Sequence, residues 1–152
     1  MFDFFLAGVI QGSRADRDVE PQDYRTRIKD AVATKTPTRT IYCPVDHHRD
    51  SPAYDDADAA RVFHHHIELA TRCRFLIAVL PTASMGTAIE MWECARAGVP
   101  VLAITPMTHN WVVRLFSAKV FRDIDEFRAW LSEDALGVIV RETEKKSASR
   151  DT

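Results

Sequence analysis

Short apolar segments alternate along the chain with longer segments whose apolar residues recur at helical spacing. These runs predict strands at residues 2–7, 40–43, 75–80, 100–105 and 119–121. Helices are predicted at 21–34, at 54–73, at 87–97, near residue 111 and at 123–131, with a polar loop at 45–53. Apolar strands that alternate with amphipathic helices indicate a parallel sheet with helices on both faces.

This pattern predicts a single doubly wound α/β domain. Right-handed crossovers between parallel strands favour the flavodoxin-like strand order 2-1-3-4-5. A chain of 152 residues is long enough for one domain of this kind and too short for two. We assign residues 1–141 to the domain and expect the polar residues 142–152 to form a flexible tail.

Composition and charge narrow the class of protein. The formal net charge of −2 argues against a nucleic-acid-coating protein, which usually carries a strong basic excess. No apolar run approaches the roughly 20 residues of a membrane-spanning helix, and the N-terminus lacks the basic start of a signal peptide. The three cysteines include no CxxC pair, which fits reduced thiols in a cytosol. We therefore expect a soluble cytoplasmic protein that binds neither nucleic acid nor membrane.

The predicted fold draws attention to two loops. In doubly wound sheets, ligands bind beyond the carboxyl ends of the strands where the winding reverses, which here is between strands one and three. The first loop, residues 8–14, contains two glycines and a serine, whose backbone N–H groups can hold an anion or a sugar hydroxyl. The loop matches neither the dinucleotide fingerprint nor the P-loop. A flexible turn with a surface arginine explains it equally well.

The second loop, residues 81–86, leads into the predicted helix that carries Glu90. Ser84 and Thr87 place hydroxyls and free N–H groups at the start of this helix, where an anion is favoured. Thr87 and Glu90 also have the spacing of a capping box, and spacing alone favours that interpretation. Glu90 nevertheless lies at the predicted crevice among apolar neighbours, where a carboxylate can act as a nucleophile or a base.

Three segments between residues 5 and 121 carry a resemblance to a known family. They are residues 5–14 (FLAGVIQGSR), residues 76–81 with 84–90 (LIAVLP and SMGTAIE), and residues 110–117 with 120–121 (NWVVRLFS and VF). Together they resemble the nucleoside 2-deoxyribosyltransferase family, which includes the 2'-deoxynucleoside 5'-monophosphate N-hydrolases. The segments occur in the order and on the elements that this family has.

The resemblance implies a reaction and roles for individual residues. Glu90 matches the nucleophile, which attacks the anomeric carbon of the sugar, expels the base and holds a glycosyl intermediate, as in retaining glycosidases. Water then releases the sugar in hydrolases, whereas transferases pass it to another base. Ser84 and Ser117 match serines that hold the 5'-phosphate in the hydrolases, the latter from a neighbouring subunit. Asn110 matches an asparagine that reaches the sugar across the dimer.

A homodimer or larger homo-oligomer with shared active sites follows from these roles, and no cofactor is implied. The substrate is a nucleoside or nucleotide. The residues expected to bind it are Phe5, Gly8, Ile10, Gln11, Gly12, Ser13, Arg14, Ser84, Gly86, Asn110 and Ser117. Val9 and Gln11 replace a serine and an arginine of the hydrolases' first loop, which weakens the prediction of a phosphate site unless Ser13 and Arg14 compensate.

The chain departs from the family at the second acidic residue. The family has an aspartate 24 positions before the nucleophile, and His66 occupies that position here. Helical spacing predicts a buried stripe that consists of Ala59, Phe63, Ile67 and Ala70. His66 would lie on the flank of this stripe, where it can exchange protons at neutral pH or merely pack. Asp46, just after the second strand, is the alternative acid.

Other classes of function remain open. The adjacent histidines at 64–66 diverge by about 100° per residue and cannot converge on one ion, so we expect no metal site. Trp92 and Trp111 could stack on a base, although ordinary packing or an interface accounts for them as well. A non-catalytic nucleotide-binding module of the same fold, or an interaction domain in which Glu90 is only a helix cap, are the alternatives to an enzyme.

Overall fold

The sheet has the strand order predicted from the sequence. A computed structural model of the chain describes residues 1–12, 15 and 18–149. In this part of the chain the strands are β1 (Phe4–Gly8), β2 (Ile41–Tyr42), β3 (Phe75–Val79), β4 (Val101–Ile104) and β5 (Lys119–Phe121). Neighbouring strands are parallel and follow the order β2-β1-β3-β4-β5. The prediction of a doubly wound α/β domain is confirmed.

Helices surround the sheet. They are α1 (Asp23–Lys35), α2 (Pro44–His47), α3 (Asp56–Arg72), α4 (Met85–Arg96), α5 (Trp111–Phe116), α6 (Ile124–Trp130) and α7 (Glu133–Ala148). The predicted polar loop at 45–53 instead contains most of α2 and a 3-10 turn at Ser51–Ala53. Pro44 begins α2 because a proline in the first turn lacks only an N–H that would have no partner there. Among the described residues, no helix has both the length and the apolar character needed to cross a membrane.

The core has two halves, one on each face of the sheet. Phe4 and Leu6 of β1 point to the face covered by α1, α6 and α7, whereas Phe5 and Ala7 point to the face covered by α3, α4 and α5. All residues of β1 and β3 are buried, which explains why these strands appear in the sequence as continuous apolar runs. Gly8, the last residue of β1, pairs with Val79 of β3, so both strands end at the same edge.

The C-terminal segment departs from the prediction, because α7 continues through most of the expected tail. Ser132 caps this helix by accepting a hydrogen bond from the Ala135 N–H, and Leu136 and Ile139 are buried against the sheet. The polar residues 141–149 are mostly exposed and form the solvent-facing end of the helix and its cap. The polar residues from which we expected a flexible tail therefore lie largely in a helix, and the predicted domain boundary at residue 141 falls within that helix.

Candidate active site

A cavity of about 240 Å³ lies at the carboxyl end of β1, beside the start of α4. Both loops selected from the sequence contribute to it. Its lining residues are Leu6, Ala7, Gly8, Ile10, Gln11, Gly12, Arg25, Pro44, Phe63, His66, Ser84, Met85, Gly86, Thr87 and Glu90. The cavity thus occupies the point where the winding of the sheet reverses, between β1 and β3.

Glu90 points into this cavity from the second turn of α4. The helix begins at Met85 because the Ser84 hydroxyl accepts a hydrogen bond from the Thr87 N–H at 3.3 Å. Ser84 is therefore the N-cap, and Thr87 lies inside the helix. The capping-box interpretation of Thr87 and Glu90 is wrong, because it requires Thr87 to be the cap. Among the described residues, no group donates a hydrogen bond to the Glu90 carboxylate.

Burial controls the protonation state of Glu90. The residue is 8% exposed, and loss of solvation raises the pKa of its carboxyl group to about 8, although the positive charge of Arg25 acts in the opposite direction. The neutral carboxylic acid is therefore the favoured form of Glu90 at neutral pH. A carboxyl group with this pKa can become an anionic nucleophile near pH 8, so its environment fits a functional group.

Arg25 is a charged residue of the cavity that the sequence analysis missed. It is 3% exposed, and its guanidinium donates to the Leu6 carbonyl at 3.0 Å and to the Gly8 carbonyl at 3.3 Å. Its Nε donates to the Gln22 side chain at 2.7 Å. Arg25 precedes Ile28 by three residues and so lies on the apolar face of α1, which is the signal that could have identified it.

His66 faces the same cavity from α3. The buried residues of this helix are Val62, His66 and Ala70. The predicted stripe is therefore rotated from the observed one, and His66 lies within the buried face rather than on its flank. Its Nε2 lies 3.3 Å from the Tyr42 hydroxyl. Burial lowers the pKa of His66 to about 4, with a smaller contribution from the neighbouring His48, so its imidazole is neutral at neutral pH.

A second cavity of about 200 Å³ adjoins the first, and His66 lines both. The two cavities also share Ile10, Gln11, Pro44 and Phe63. The second cavity has a largely apolar and aromatic wall, in which His48 Nδ1 lies 3.0 Å from the Tyr54 hydroxyl. The two adjoining cavities share a wall that carries a histidine, and we call them together the two-part site.

The first loop is shaped by its two glycines. A Cβ on Gly8 would collide with the Tyr24 hydroxyl and would lie 3.0 Å from the Val79 carbonyl oxygen. Gly12 has a φ of 61°, in the left-handed region that favours glycine. Both residues line the first cavity, and their role in substrate binding stays a prediction. Ser13 and Arg14, which were predicted to bind the substrate, lie outside the described residues.

Two other predicted site residues do not line the cavity that contains Glu90. Asp46 is partly exposed and forms an ion pair with Lys29 at 2.9 Å. Phe5 is fully buried in the core, where its ring stacks on that of Tyr42 at a centroid distance of 5.5 Å. Of the two predicted proton-handling residues, the structure therefore brings His66 and not Asp46 into the cavity.

Asn110 and Ser117 are also away from the cavity of their own chain. Asn110 caps α5, and its Oδ1 accepts hydrogen bonds from the N–H groups of Val112 and Val113 at 2.9 and 3.4 Å. Ser117 follows the same helix and lines a separate cavity of about 300 Å³ near the start of β4. Its hydroxyl is buried without a hydrogen-bond partner among the described residues.

The surface of α4 and α5 carries several exposed apolar side chains. They are Met85, Ile89, Trp92, Trp111 and Leu115, and we call them the apolar surface. Trp111 is 76% exposed, and neither tryptophan lines either part of the two-part site. In the described ranges, no group of three or more His, Cys, Asp or Glu side chains is arranged to hold a metal ion.

Solved structures resemble this fold throughout most of the chain. A 2-deoxyribosyltransferase from the psychrotolerant bacterium Bacillus psychrosaccharolyticus is 14% identical and superposes with a TM-score of 0.65 over 88% of this chain and 94% of its own. A conserved protein from Enterococcus faecalis is 18% identical, with a TM-score of 0.59 over 85% and 96%. A CMP N-glycosidase from Clostridium botulinum is 15% identical, with a TM-score of 0.47 over 83% and 93%.

No family model matches the sequence, and no curated protein matches it significantly. The three sequence segments suggested the nucleoside 2-deoxyribosyltransferases, and the first comparison shows that this chain shares the fold of a 2-deoxyribosyltransferase. At identities of 14% and 18%, the first two likenesses establish the fold. The chemistry of this chain has to be argued from its own site.

Proposed function

We propose that this chain is an enzyme that cleaves the N-glycosidic bond of a nucleoside or a nucleoside 5'-monophosphate. The observation that carries the proposal is Glu90. Among the described lining residues it is the only carboxylate in the cavity at the switch point, and it is buried there without a bonded cation. Such a group can form a covalent bond to a sugar carbon once it has lost its proton.

The first chemical step uses the Glu90 carboxylate as the nucleophile. It forms a bond to the anomeric carbon while the carbon–nitrogen bond breaks, and the electron pair of that bond leaves with the base, which takes a proton from water. In the second step, water attacks the anomeric carbon and the ester bond to Glu90 breaks. A second base that replaces water in this step makes the reaction a transfer.

His66 is the residue that we propose accepts the proton of the attacking water. Its neutral imidazole, with a pKa of about 4, has nearly the proton affinity of an ordinary aspartate, whose pKa is about 3.9. Unlike an aspartate, it adds no negative charge next to Glu90. The replacement of the family's aspartate therefore preserves a weak base in the site.

The two-part site accommodates the two halves of such a substrate. We place the sugar in the first cavity, against Glu90 and the loop that contains Gly8 and Gly12. The base then occupies the second cavity, where the wall is largely apolar and aromatic and the pair of His48 and Tyr54 supplies polar atoms. A 5'-phosphate would lie near Ser84 and Gly86, at the positive end of α4.

We further propose that two copies of the chain associate through the apolar surface. This surface lies on α4 and α5, and exposed tryptophan, leucine and isoleucine side chains in one patch are typical of protein interfaces. Asn110 begins α5 and is itself exposed, so a partner at this surface could receive it. Sedimentation that shows only monomer at micromolar concentration would exclude this arrangement.

The test is base release from a panel of nucleosides and 5'-monophosphates, with and without an added acceptor base. Free sugar or sugar phosphate indicates hydrolysis, and a new nucleoside indicates transfer. Glu90→Gln should lower the rate by at least about a thousandfold, since the nucleophile is lost. The matched control is Glu93→Gln on the same helix, because Glu93 pairs with Arg96 outside the cavity and should leave the rate unchanged.

A wild-type protein that releases no base from any member of the panel would contradict the proposal. If such a protein still binds a nucleotide, and Glu90→Gln does not abolish that binding, the chain is a binding module of the same fold. A rate that falls equally in both variants would also contradict the assignment, because the effect would then not be specific to the cavity.

A further inference from the structure

The guanidinium of Arg25 lies in the wall of the first cavity and has no part in the steps above. Its hydrogen bonds go to neutral acceptors: the carbonyls of Leu6 and Gly8, the side-chain oxygen of Gln22 and, at 3.7 Å, the sulfur of Cys43. No ion pair joins it to a carboxylate of the described residues. A buried cation is thus bonded only to uncharged groups.

Part of this arrangement has a structural reason. β2 pairs with β1 only as far as Phe5, because the chain leaves the sheet at Pro44, which has no N–H. The carbonyls of Leu6 and Gly8 therefore lack a partner from β2, and a buried carbonyl without a donor is unfavourable. Arg25 supplies the missing donors. An uncharged donor could do the same, so this role does not explain the charge.

The protonation states of the groups around Glu90 give a reason for the positive charge of Arg25. Arg25 of α1 and His66 of α3 line the cavity with Glu90, and the charge of Glu90 acts on Tyr24 of α1 and on Cys94 of its own helix. Burial raises the pKa of Tyr24 to about 12, raises that of Cys94 and lowers that of His66 to about 4. Each of these three groups is therefore neutral at neutral pH. Within the described part of the chain, Arg25 is the one cation available to the Glu90 anion in the cavity.

We propose that Arg25 is a positioning residue whose positive charge stabilises the anionic form of Glu90 in the low-dielectric cavity that both residues line. This inference rests on the proposed function, in which the anion is the form that attacks the sugar. Removing a cation from a buried site strongly destabilises the anion that remains, because the surroundings have low polarity. Because no hydrogen bond joins the two groups, the Glu90 oxygens stay free to form a bond to carbon.

The test compares a substitution that removes the positive charge with one that keeps it. Arg25→Gln keeps an amide donor for the strand carbonyls and loses the charge, whereas Arg25→Lys keeps the charge and loses most of the donors. We expect the pH midpoint of base release to rise in Arg25→Gln and to stay near the wild-type value in Arg25→Lys. Each unit of that rise lowers the rate at pH 7 about tenfold.

The matched control is Arg27→Gln, two residues along α1. Arg27 is exposed and pairs with Asp125, so its loss should leave the midpoint unchanged. If Arg25→Gln does not fold, Arg25→Met provides another neutral side chain, this time without a hydrogen-bond donor. Its pH midpoint of base release should also be higher than that of the wild type, and its thermal stability should be lower. An unchanged midpoint in the neutral variants, or an equal rise in Arg25→Lys, would overturn the inference and leave Arg25 with a structural role only.

A direct titration separates this inference from the proposed function. The carboxyl stretching band of Glu90 can be followed by infrared difference spectroscopy, with Glu90→Gln to assign it. If the wild-type protein releases no base, the proposed function fails, but the Glu90 titration still shows whether Arg25→Gln raises the midpoint. A band that titrates at the same pH in both proteins would refute the role of Arg25 even in an active enzyme.

Discussion

Each end of β1 has a carboxylate near an arginine, but the two pairs differ in how they are bonded. At the amino end, Asp3 accepts hydrogen bonds from the backbone N–H of Thr40 at 3.0 Å and from Arg39 at 3.0 Å. At the carboxyl end, Glu90 and Arg25 line one cavity, but no hydrogen bond or ion pair joins them. One end of β1 therefore adjoins a bonded pair, and the other end adjoins a pair that no hydrogen bond or ion pair joins.

The difference decides what each carboxylate can do. Burial alone would raise the pKa of Asp3, but the hydrogen bonds from Thr40 and Arg39 outweigh it and the pKa is lowered. Burial raises the pKa of Glu90 to about 8, because no hydrogen bond compensates it. A bonded carboxylate contributes to stability and has no free oxygen for chemistry. An unbonded one costs stability when it is ionised and keeps its oxygens available for reaction.

The largest expected effect is a dependence of stability on pH that comes from Glu90. Its pKa in the folded protein lies above the ordinary value of 4.5, at about 8, so folding favours the protonated form. This contribution is fully present below pH 4.5 and is lost as the pH rises to about 8. The loss should be of the order of 4 kcal/mol in the free energy of unfolding.

Urea unfolding of wild type and Glu90→Gln at pH 5, 7 and 9 measures this loss. The other ionisable groups are the same in both proteins and cancel in the difference. The wild type should become progressively less stable than the variant as the pH rises. Parallel curves would mean that Glu90 is solvated in the folded protein, and the contrast with Asp3 would disappear.

A second prediction concerns the close packing at the carboxyl end of β1. Gly8→Ala places a Cβ against the Tyr24 hydroxyl and the Val79 carbonyl oxygen, so it should destabilise the fold by about 1–3 kcal/mol and slow base release. Gly86→Ala is the matched control, because its Cβ would make only an ordinary contact of 3.7 Å with Phe63. The unfolding midpoints of the two variants check this. Equal midpoints would show that the cavity wall is not rigid.

The sequence predicted the sheet because its strands are buried on both faces. β1 and β3 appear as uninterrupted apolar runs, and the residues between them have helical spacing, so the order of the sheet followed from general rules of handedness. The helix α7 was missed because its buried residues, Leu136 and Ile139, are few and its second half is polar. The polar composition correctly indicated that this half of the helix is exposed, but composition does not determine the backbone conformation.

The site was predicted in part. The loops at the switch point and Glu90 follow from topology, which fixes where strands end, and the structure brings these residues together in one cavity. Arg25 was missed because a single arginine in a polar helix usually faces solvent. The orientation of α3 that buries His66 was also missed, because more than one set of residues on this helix has the spacing of a buried face. Which of these faces is buried depends on the neighbouring elements, and the periodicity of one helix carries no information about them.

The smallest expected effect comes from the amino end of β1. Asp3→Asn weakens the bonds to Arg39 and Thr40 and should cost about 1–2 kcal/mol at pH 7, because bonds to a partly exposed charge are modest. The pKa of Asp3 is lowered in the folded protein, so this contribution is present above its ordinary value of 3.8 and is lost as the pH falls below it. The stability difference between wild type and variant should therefore shrink towards pH 3, opposite in direction to that of Glu90. Base release and its pH midpoint should not change, since Asp3 lies at the other end of the strand, and a shifted midpoint would show that the two ends of β1 are coupled.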